Sequence, residues 1–409
     1  MGIPTCKPVH EGARACADRR DDRGKAPRLL GSVVAAGIFF LSFLTFAGSS
    51  AFATNSIRVA YFHSDLSRDG PGLLLRDIVS GKDAQIAAVV AVIRAVRPDV
   101  LVLADFDFDA SHAALTAFAS RLEAADLPYP HRFSRAPNSG RASGFDLDRD
   151  GRFGRPQDSW GFGEFAGQGG IALLSRFPIV GTESRDFSGL PWRDLPGKNL
   201  PEIEGEAFYP ADVRDQMPLS YTVHWDVALR LPSGEHVRIW TYHATPPVFD
   251  GPEDRNGLRN RDETAFWLAY LAGRVGGGAT DDPFVILAGA NLDPADGDGR
   301  PEALLELQSH PRVQDPRPAS RGAVEASRLQ GGANAGQKGD PALDTADWPD
   351  DPGPGNLRVD YVLPSRDWEV LDAGVFWPAS DDPTRTLIGR DGNLASRHRL
   401  VWVDLGLKR

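Results

Sequence analysis

Hydrophobic positions along this chain switch between two periods, and the switches predict strands and helices in turn. "IRVAYFH" (57–63) is a β-branched and aromatic run, the expected first strand. Residues 83–96 change period. Ile86, Val89, Val90, Ile93 and Val96 recur at helical spacing, and Asp83 is placed to cap them. Pro98 ends that helix, and "RPDVLVLADFD" enters a buried strand over Val100 to Leu103. A second helix fits 113–125. A Gly- and Asp-rich loop follows over 138–169, and "GGIALLSRFPI" returns to strand. "TVHWDVALRL" and "HVRIWTYH", separated by "PSGE", read as a hairpin. Residues 262–274 are expected to be helical and "PFVILAG" (283–289) a buried strand. Residues 315–356, poor in apolar side chains, are expected to form a long surface loop. "LRVDYVLP" and "HRLVWVDL" are the closing strands. No fixed-period repeat is present. The order of elements implies an α/β (α+β) fold with sheets at the centre and helices outside.

The first 53 residues stand apart. Residues 1–28 carry seven basic and four acidic groups. An uncharged apolar run fills 29–48, and Ala51-Phe52-Ala53 matches the small-x-small pattern of signal cleavage. The expectation is a signal peptide over 1–53 with a long n-region. A secreted or periplasmic domain over 54–409 would then keep no membrane span. The alternative is a membrane anchor at 29–48, which is near spanning length. Both cysteines, Cys6 and Cys16, precede the apolar run, so the exported part would form no disulfide. Formal charge is −11 overall, and −14 once the +3 of residues 1–28 is set aside. Such acidity argues against long nucleic acids as partners and leaves room for a phosphate-ester small molecule or another anion.

Polar residues stand repeatedly where a buried strand ends: His63, Asp105, His243, Asn291, Asp360 and His398. In α/β architectures that edge is where sites are built, so six such residues point to one cleft. The segments that carry them, "RVAYFHSDL", "RPDVLVLADFD", "GGIALLSRFPI", "TYHATPP", "ILAGANLDP", "LRVDYVLPS" and "ASRHRLVWVDL", occur in an order that resembles the endonuclease/exonuclease/phosphatase superfamily. The insert "HATPPVFDGPEDRNGLRNRDE" (243–263) is similar to that of its secreted bacterial branch. The resemblance implies a four-layered sandwich, two packed mixed β-sheets flanked by helices. It also implies divalent-metal-dependent attack of water on a phosphoester or phosphodiester, with Mg²⁺ or Mn²⁺ as cofactor.

Carried over position by position, the resemblance assigns catalytic roles to His243, Asn291, Asp360 and His398. Asn291 would hold the phosphate. The metal would fall to Asp105, His63 and Asp360. Four positions depart from the pattern. His63 stands for Asn, Asp105 for Glu, Gly289 for the Asp of an Asp-x-Asn motif, and Arg397 for the Asp of a terminal Asp-His pair. Loss of a positioned acid–base group costs on the order of 10²–10⁴ in rate. The expectation is therefore a degraded site with weak or absent activity, in which Arg397 has become an anion contact. On that reading Gly289→Asp with Arg397→Asp would restore two carboxylates within reach of Asn291 and His398. Two alternatives stay open. One is a non-catalytic module that binds an anion or a partner. The other is a Mn- or Zn-dependent phosphoesterase whose site has re-formed around His63 and Asp105.

Three further features have a candidate chemistry. Asp146, Asp148 and Asp150, followed by Gly151, resemble the first half of a calcium loop. The twelfth position is Gln157, so Asp158 or Glu164 would have to close it; otherwise the segment is an acidic turn. Arg255 and Arg259, in "DGPEDRNGLRNRDE", could form a substrate rim, or belong to an ion-paired loop capping a helix that starts at Asp262. His224, beside Trp225, could line the cleft or pack as a structural histidine.

Overall fold

The structure, a computed structural model, describes residues 56–408. The signal peptide expected over 1–53, with its apolar run 29–48, lies outside them. Among the described residues no helix is long and apolar enough to cross a membrane.

The chain begins with strand β1 (Ser56–Leu66), helices α1 (Leu73–Ser80) and α2 (Ala84–Val96), and strand β2 (Val100–Phe106). Helix α3 (Ala113–Ala124) and strands β3 (His131–Phe133) and β4 (Gly170–Ser175) follow. The middle of the chain holds β5 (Arg185–Asp186), a small β6–β7 hairpin (Glu202–Ile203 and Glu206–Ala207) and α4 (Ala211–Gln216). The hairpin read from sequence is β8 (His224–Arg230) and β9 (His236–His243), followed by α5 (Arg255–Leu271) and β10 (Phe284–Gly289). Helices α6 (Glu302–Ser309) and α7 (Arg321–Gln330) come next. Strands β11 (Ala346–Asp347), β12 (Asn356–Leu357), β13 (Asp360–Pro364), β14 (Trp368–Val375) and β15 (Val401–Leu407) close the fold.

Two mixed sheets carry the fold. One has the order β14-β15-β1-β2-β4-β3 and the other β13-β10-β9-β8-β5. Strand alternation sorts their side chains into layers. Val285 and Leu287 of β10, Ile239 of β9 and Val362 of β13 join the first sheet and α1–α3 in one buried cluster. Phe284, Ile286 and Ala288, their neighbours on the opposite face, pack with Phe266, Trp267 and Tyr270 of α5 and Leu304 and Leu307 of α6. The expected sandwich, helices outside two facing sheets, is what forms.

The caps explain where helices begin. Asp83 accepts from the Ile86 amide at 2.8 Å, as its position predicted. Helix α1 and strand β14 were not read from sequence. The region 315–356 is corrected: it is no plain surface loop but contains α7, capped by Ser320. It also carries buried Thr345, Ala346 and Asp347. The helix expected at 262–274 starts at Arg255 instead. Asp262 therefore does not cap it. It is buried inside it and accepts from Trp192 Nε1 and the Asn199 amide, both at 2.7 Å.

The second sheet also encloses an ion pair. Asp226 accepts from Arg238 Nε and from the Tyr270 hydroxyl, both at 2.7 Å, and both charged side chains are buried. Removing one partner leaves the other charge uncompensated. Asp226→Ala is expected to lower unfolding free energy by about 3–5 kcal/mol, measured by urea denaturation. A loss below about 1 kcal/mol would show that Arg238 finds another partner.

Candidate active site and metal centre

The polar strand ends predicted from sequence converge. His63 leaves β1 and stacks on His398, with ring centroids 3.9 Å apart; its edge meets His243 at 4.8 Å. His63 Nε2 lies 3.4 Å from Asp65 and 3.8 Å from Asp105. Potential ligand atoms of His63, Asp65 and Asp105 all fall within 4.8 Å of one another, and so do those of His63, Asp360 and His398. Asp65 was not singled out from sequence. The signal was there, two positions after His63 on the same strand face.

Three of the residues that aim these groups sit in the left-handed region: Asp65 (φ 49°), Asp105 (φ 53°) and Asn291 (φ 51°). Asp and Asn tolerate that conformation best among non-glycine residues, and strained backbone of this kind concentrates at functional sites. Asp105 also needs a glycine neighbour. A Cβ on Gly169 would stand 2.8 Å from its Oδ1.

The terminal histidine is held by a carboxylate, though not one beside it in sequence. His398 Nδ1 lies 2.7 Å from Asp360 Oδ2, both groups buried, so its Nε2 edge is the one left for a ligand. That corrects the reading of Arg397. Its side chain is exposed. Its backbone amide donates to Asp65 Oδ2 at 3.0 Å, and its carbonyl accepts from the Asp347 amide at 3.1 Å. Nothing at position 397 is needed to orient His398. The turn is fixed by Ser396, whose hydroxyl donates to the His63 carbonyl at 2.7 Å or to Asp65 at 2.9 Å, and accepts from the His398 amide at 3.0 Å. The 345–348 segment locks it from the other side. Ala346 bridges His398, and the Trp348 ring stands edge-on to the His398 imidazole at 5.3 Å.

His243 and Asn291 form a second pair. Asn291 Nδ2 lies 2.7 Å from the Ala244 carbonyl and 3.0 Å from His243 Nε2. Both amide hydrogens are thereby committed, so the end of Asn291 left for a ligand is its carbonyl oxygen, an acceptor.

The charge pattern is uneven. Burial lowers the His63 pKa, but the nearby carboxylates of Asp105, Asp65 and Asp360 outweigh it and raise the value to about 9. Burial, with the charges of His63 and His398, drives His243 well below its usual range and keeps it neutral. Asp65 is pushed up by burial but held below the ordinary carboxylate value by His63 and His398. His63 Nδ1 and His243 Nδ1 are buried without a hydrogen-bond partner. Orphaned polar atoms in one place, beside a carboxylate–imidazole set, fit a bound divalent cation and its ligands.

Other predicted residues lie elsewhere or do other work. Arg259 is buried and donates to the carbonyls of Pro218, Leu219 and Ser220 at 2.9–3.0 Å, so it is no substrate rim. Arg255 pairs with Glu253. His224 is structural. It is buried between Ser220 Oγ (2.7 Å) and the Glu263 carbonyl (2.9 Å), and burial lowers its pKa to about 4. In the acidic loop, ligand atoms of Asp146, Asp148 and Asp158 gather within 4.8 Å. Asp150 instead pairs with Arg155 at 2.8 Å.

Comparison with known proteins identifies a family. The family model described as "Endonuclease/Exonuclease/phosphatase family" matches residues 76–398. No curated protein matches the chain. Among solved structures, an endonuclease/exonuclease/phosphatase from Beutenbergia cavernae is similar at 19% identity and a TM-score of 0.49, over 86% of this chain and 72% of that one. The human Nocturnin catalytic domain with bound sulfate is similar at 15% identity and a TM-score of 0.44, over 87% and 95%. An endonuclease/exonuclease/phosphatase from Bacteroides vulgatus is similar at 12% identity and a TM-score of 0.44, over 86% and 99%.

The raised His63 pKa has a measurable consequence. A group whose folded pKa exceeds its unfolded value of about 6.5 stabilises the fold fully below that value and loses this contribution as pH rises through about 9. The metal-free protein should therefore lose melting temperature across that window. Metal ligation needs the neutral imidazole, so binding of Mn²⁺ near pH 7.5 should release about one proton. Titration calorimetry in buffers of different ionisation heat reads this directly. Binding with no proton release would remove His63 from the ligand set.

Proposed function

The chain belongs to the endonuclease/exonuclease/phosphatase family, and from that premise we propose that it is an exported, divalent-metal-dependent phosphoesterase with a re-formed site. The observation that carries the reading is the meeting of His63, Asp65 and Asp105 beside the Asp360–His398 pair. An imidazole with two carboxylates suits Mn²⁺ or Zn²⁺ better than Mg²⁺. The substrate class is a small phosphate ester or diester, since the chain is acidic and the site needs only local positive charge.

His63, Asp65 and Asp105 would hold the divalent metal, which would supply positive charge against that developing on the phosphoryl oxygens. The remaining work falls to the chain. Asp360 fixes the His398 tautomer, so that Nε2 faces the reacting phosphate and can move a proton at the leaving group or the attacking water. The neutral His243 is held by Asn291. The Asn291 carbonyl oxygen can accept from the attacking water, a role that Gly289 cannot fill.

A non-catalytic anion-binding module on the same fold is the competing reading, and Gly289 is the observation in its favour. Hydrolysis of bis(p-nitrophenyl) phosphate by the mature chain, compared with Mg²⁺, Mn²⁺ and Zn²⁺, separates the two. Turnover is expected, greater with Mn²⁺ or Zn²⁺. His398→Ala should reduce it on the order of 10²–10⁴-fold. No turnover with any metal, alongside retained phosphate binding, would establish the binding module instead.

The 146–158 loop is read as a weak Ca²⁺ site closed by Asp158 in place of the absent twelfth-position acid. Millimolar Ca²⁺ should raise the melting temperature, and Asp148→Ala should abolish the rise. A wild type indifferent to Ca²⁺ would leave the loop an acidic turn held by its own backbone bonds.

A further inference from the structure

Gly289 is the departure that most weakens the catalytic reading, yet its surroundings are built. Register places His243 on one side of it and Asp360 on the other, so the three positions form a row on the inner face of the second sheet. The middle position has no side chain. Its φ is not left-handed, so conformation does not demand glycine there. Space does. A Cβ at 289 would collide with the Tyr61 hydroxyl and stand 3.2 Å from Tyr61 Cζ and 3.0 Å from His243 Cδ2.

Tyr61 comes from the facing sheet, two residues before His63 on the same face of β1. It is completely buried. Its hydroxyl makes no hydrogen bond, and neither does Asp360 Oδ1, the carboxylate oxygen that His398 does not use. One orphan is a donor and the other an acceptor, and both flank Gly289. An unpaired buried polar group is costly, and a donor–acceptor pair left open in one row is most simply closed by the two together or by one trapped water.

We propose that Tyr61 is a positioning residue of this site: its hydroxyl takes the place of a side chain at 289 and donates to Asp360 Oδ1 through one trapped water. It thereby holds the carboxylate that orients His398. A tyrosine hydroxyl is protonated at neutral pH, so it is a donor here and does not serve as a base. The pairing also changes what Gly289→Asp would do. The added carboxylate has no room while Tyr61 is present, and Arg397→Asp would place its carboxylate on an exposed side chain. The double change expected from sequence to restore the site would not do so.

The part of this inference that concerns catalysis rests on the phosphoesterase reading, while the steric and hydrogen-bond parts do not. Two measurements need no turnover. A slowly exchanging, downfield hydroxyl proton should appear in the NMR spectrum of the wild type and vanish in Tyr61→Phe. Gly289→Ala should lower the melting temperature on the order of 5 °C, and most of that loss should be relieved when it is combined with Tyr61→Phe. With turnover present, Tyr61→Phe should reduce kcat about ten- to a hundredfold with KM little changed, a split that a merely structural role would not give. If the hydroxyl resonance is missing, or the Gly289→Ala penalty is the same in both backgrounds, the proposal is overturned whatever the activity. If both hold and no metal supports turnover, the phosphoesterase reading fails and the Tyr61–Asp360 contact stands.

Discussion

The close approach of the two sheets at Gly289 is the constraint on which the site depends. Along β10 the inward side chains, Val285 and Leu287, fill the space between the sheets. The next inward position carries no side chain, and Tyr61 from the facing sheet occupies the space. There the apolar layer ends and the polar row of His243 and Asp360 begins. A larger residue at 289 would hold the sheets apart or displace the tyrosine, and either would move His63, two residues along β1. Packing density and site geometry are thus one problem.

Around that point the site gathers opposite charges in a half-buried cluster. Asp65, Asp105 and Asp360 surround His63 closely enough to hold its proton to about pH 9. Burial, with the positive charges of His63 and His398, keeps His243 neutral. His63 and His243, whose rings meet edge to face at 4.8 Å, therefore sit in opposite charge states. A divalent cation in place of the His63 proton would bring one more positive charge to the same carboxylates, which is the physical sense in which a histidine and two aspartates could hold a metal.

Polar groups far from the reacting atoms supply the rigidity. Thr345 Oγ1 accepts from the Val359 and Asp360 amides, each at 3.0 Å, and the Thr345 carbonyl accepts from the Arg399 amide at 2.7 Å. Asp347 meets the buried Arg399 guanidinium at 3.1 Å. These contacts pin the start of β13 and the approach to β15 to one another, and so fix the Asp360–His398 distance. They come from a stretch almost without apolar residues. Its composition reads as loop because its burial is achieved by hydrogen bonds, not by hydrophobic area.

The sequence by itself determined the strands and helices whose apolar periodicity is strong, from "IRVAYFH" to "HRLVWVDL". It also determined the placing of His63, Asp105, His243, Asn291, Asp360 and His398 at strand ends. Local propensity and alternation suffice for that, because each signal is contained within one element. Adjacency in the chain misled where contact is made through space. Arg397 precedes His398 in sequence, yet the carboxylate that meets the imidazole belongs to Asp360, thirty-eight residues earlier. Arg259 looked like a free charge because its partners are three backbone carbonyls, which no side-chain pattern records. Tyr61 read as one more apolar strand residue. Only the facing of two sheets shows that its hydroxyl and the missing side chain at Gly289 occupy the same volume. The tertiary structure decided this because steric exclusion between distant segments exists only once they are packed.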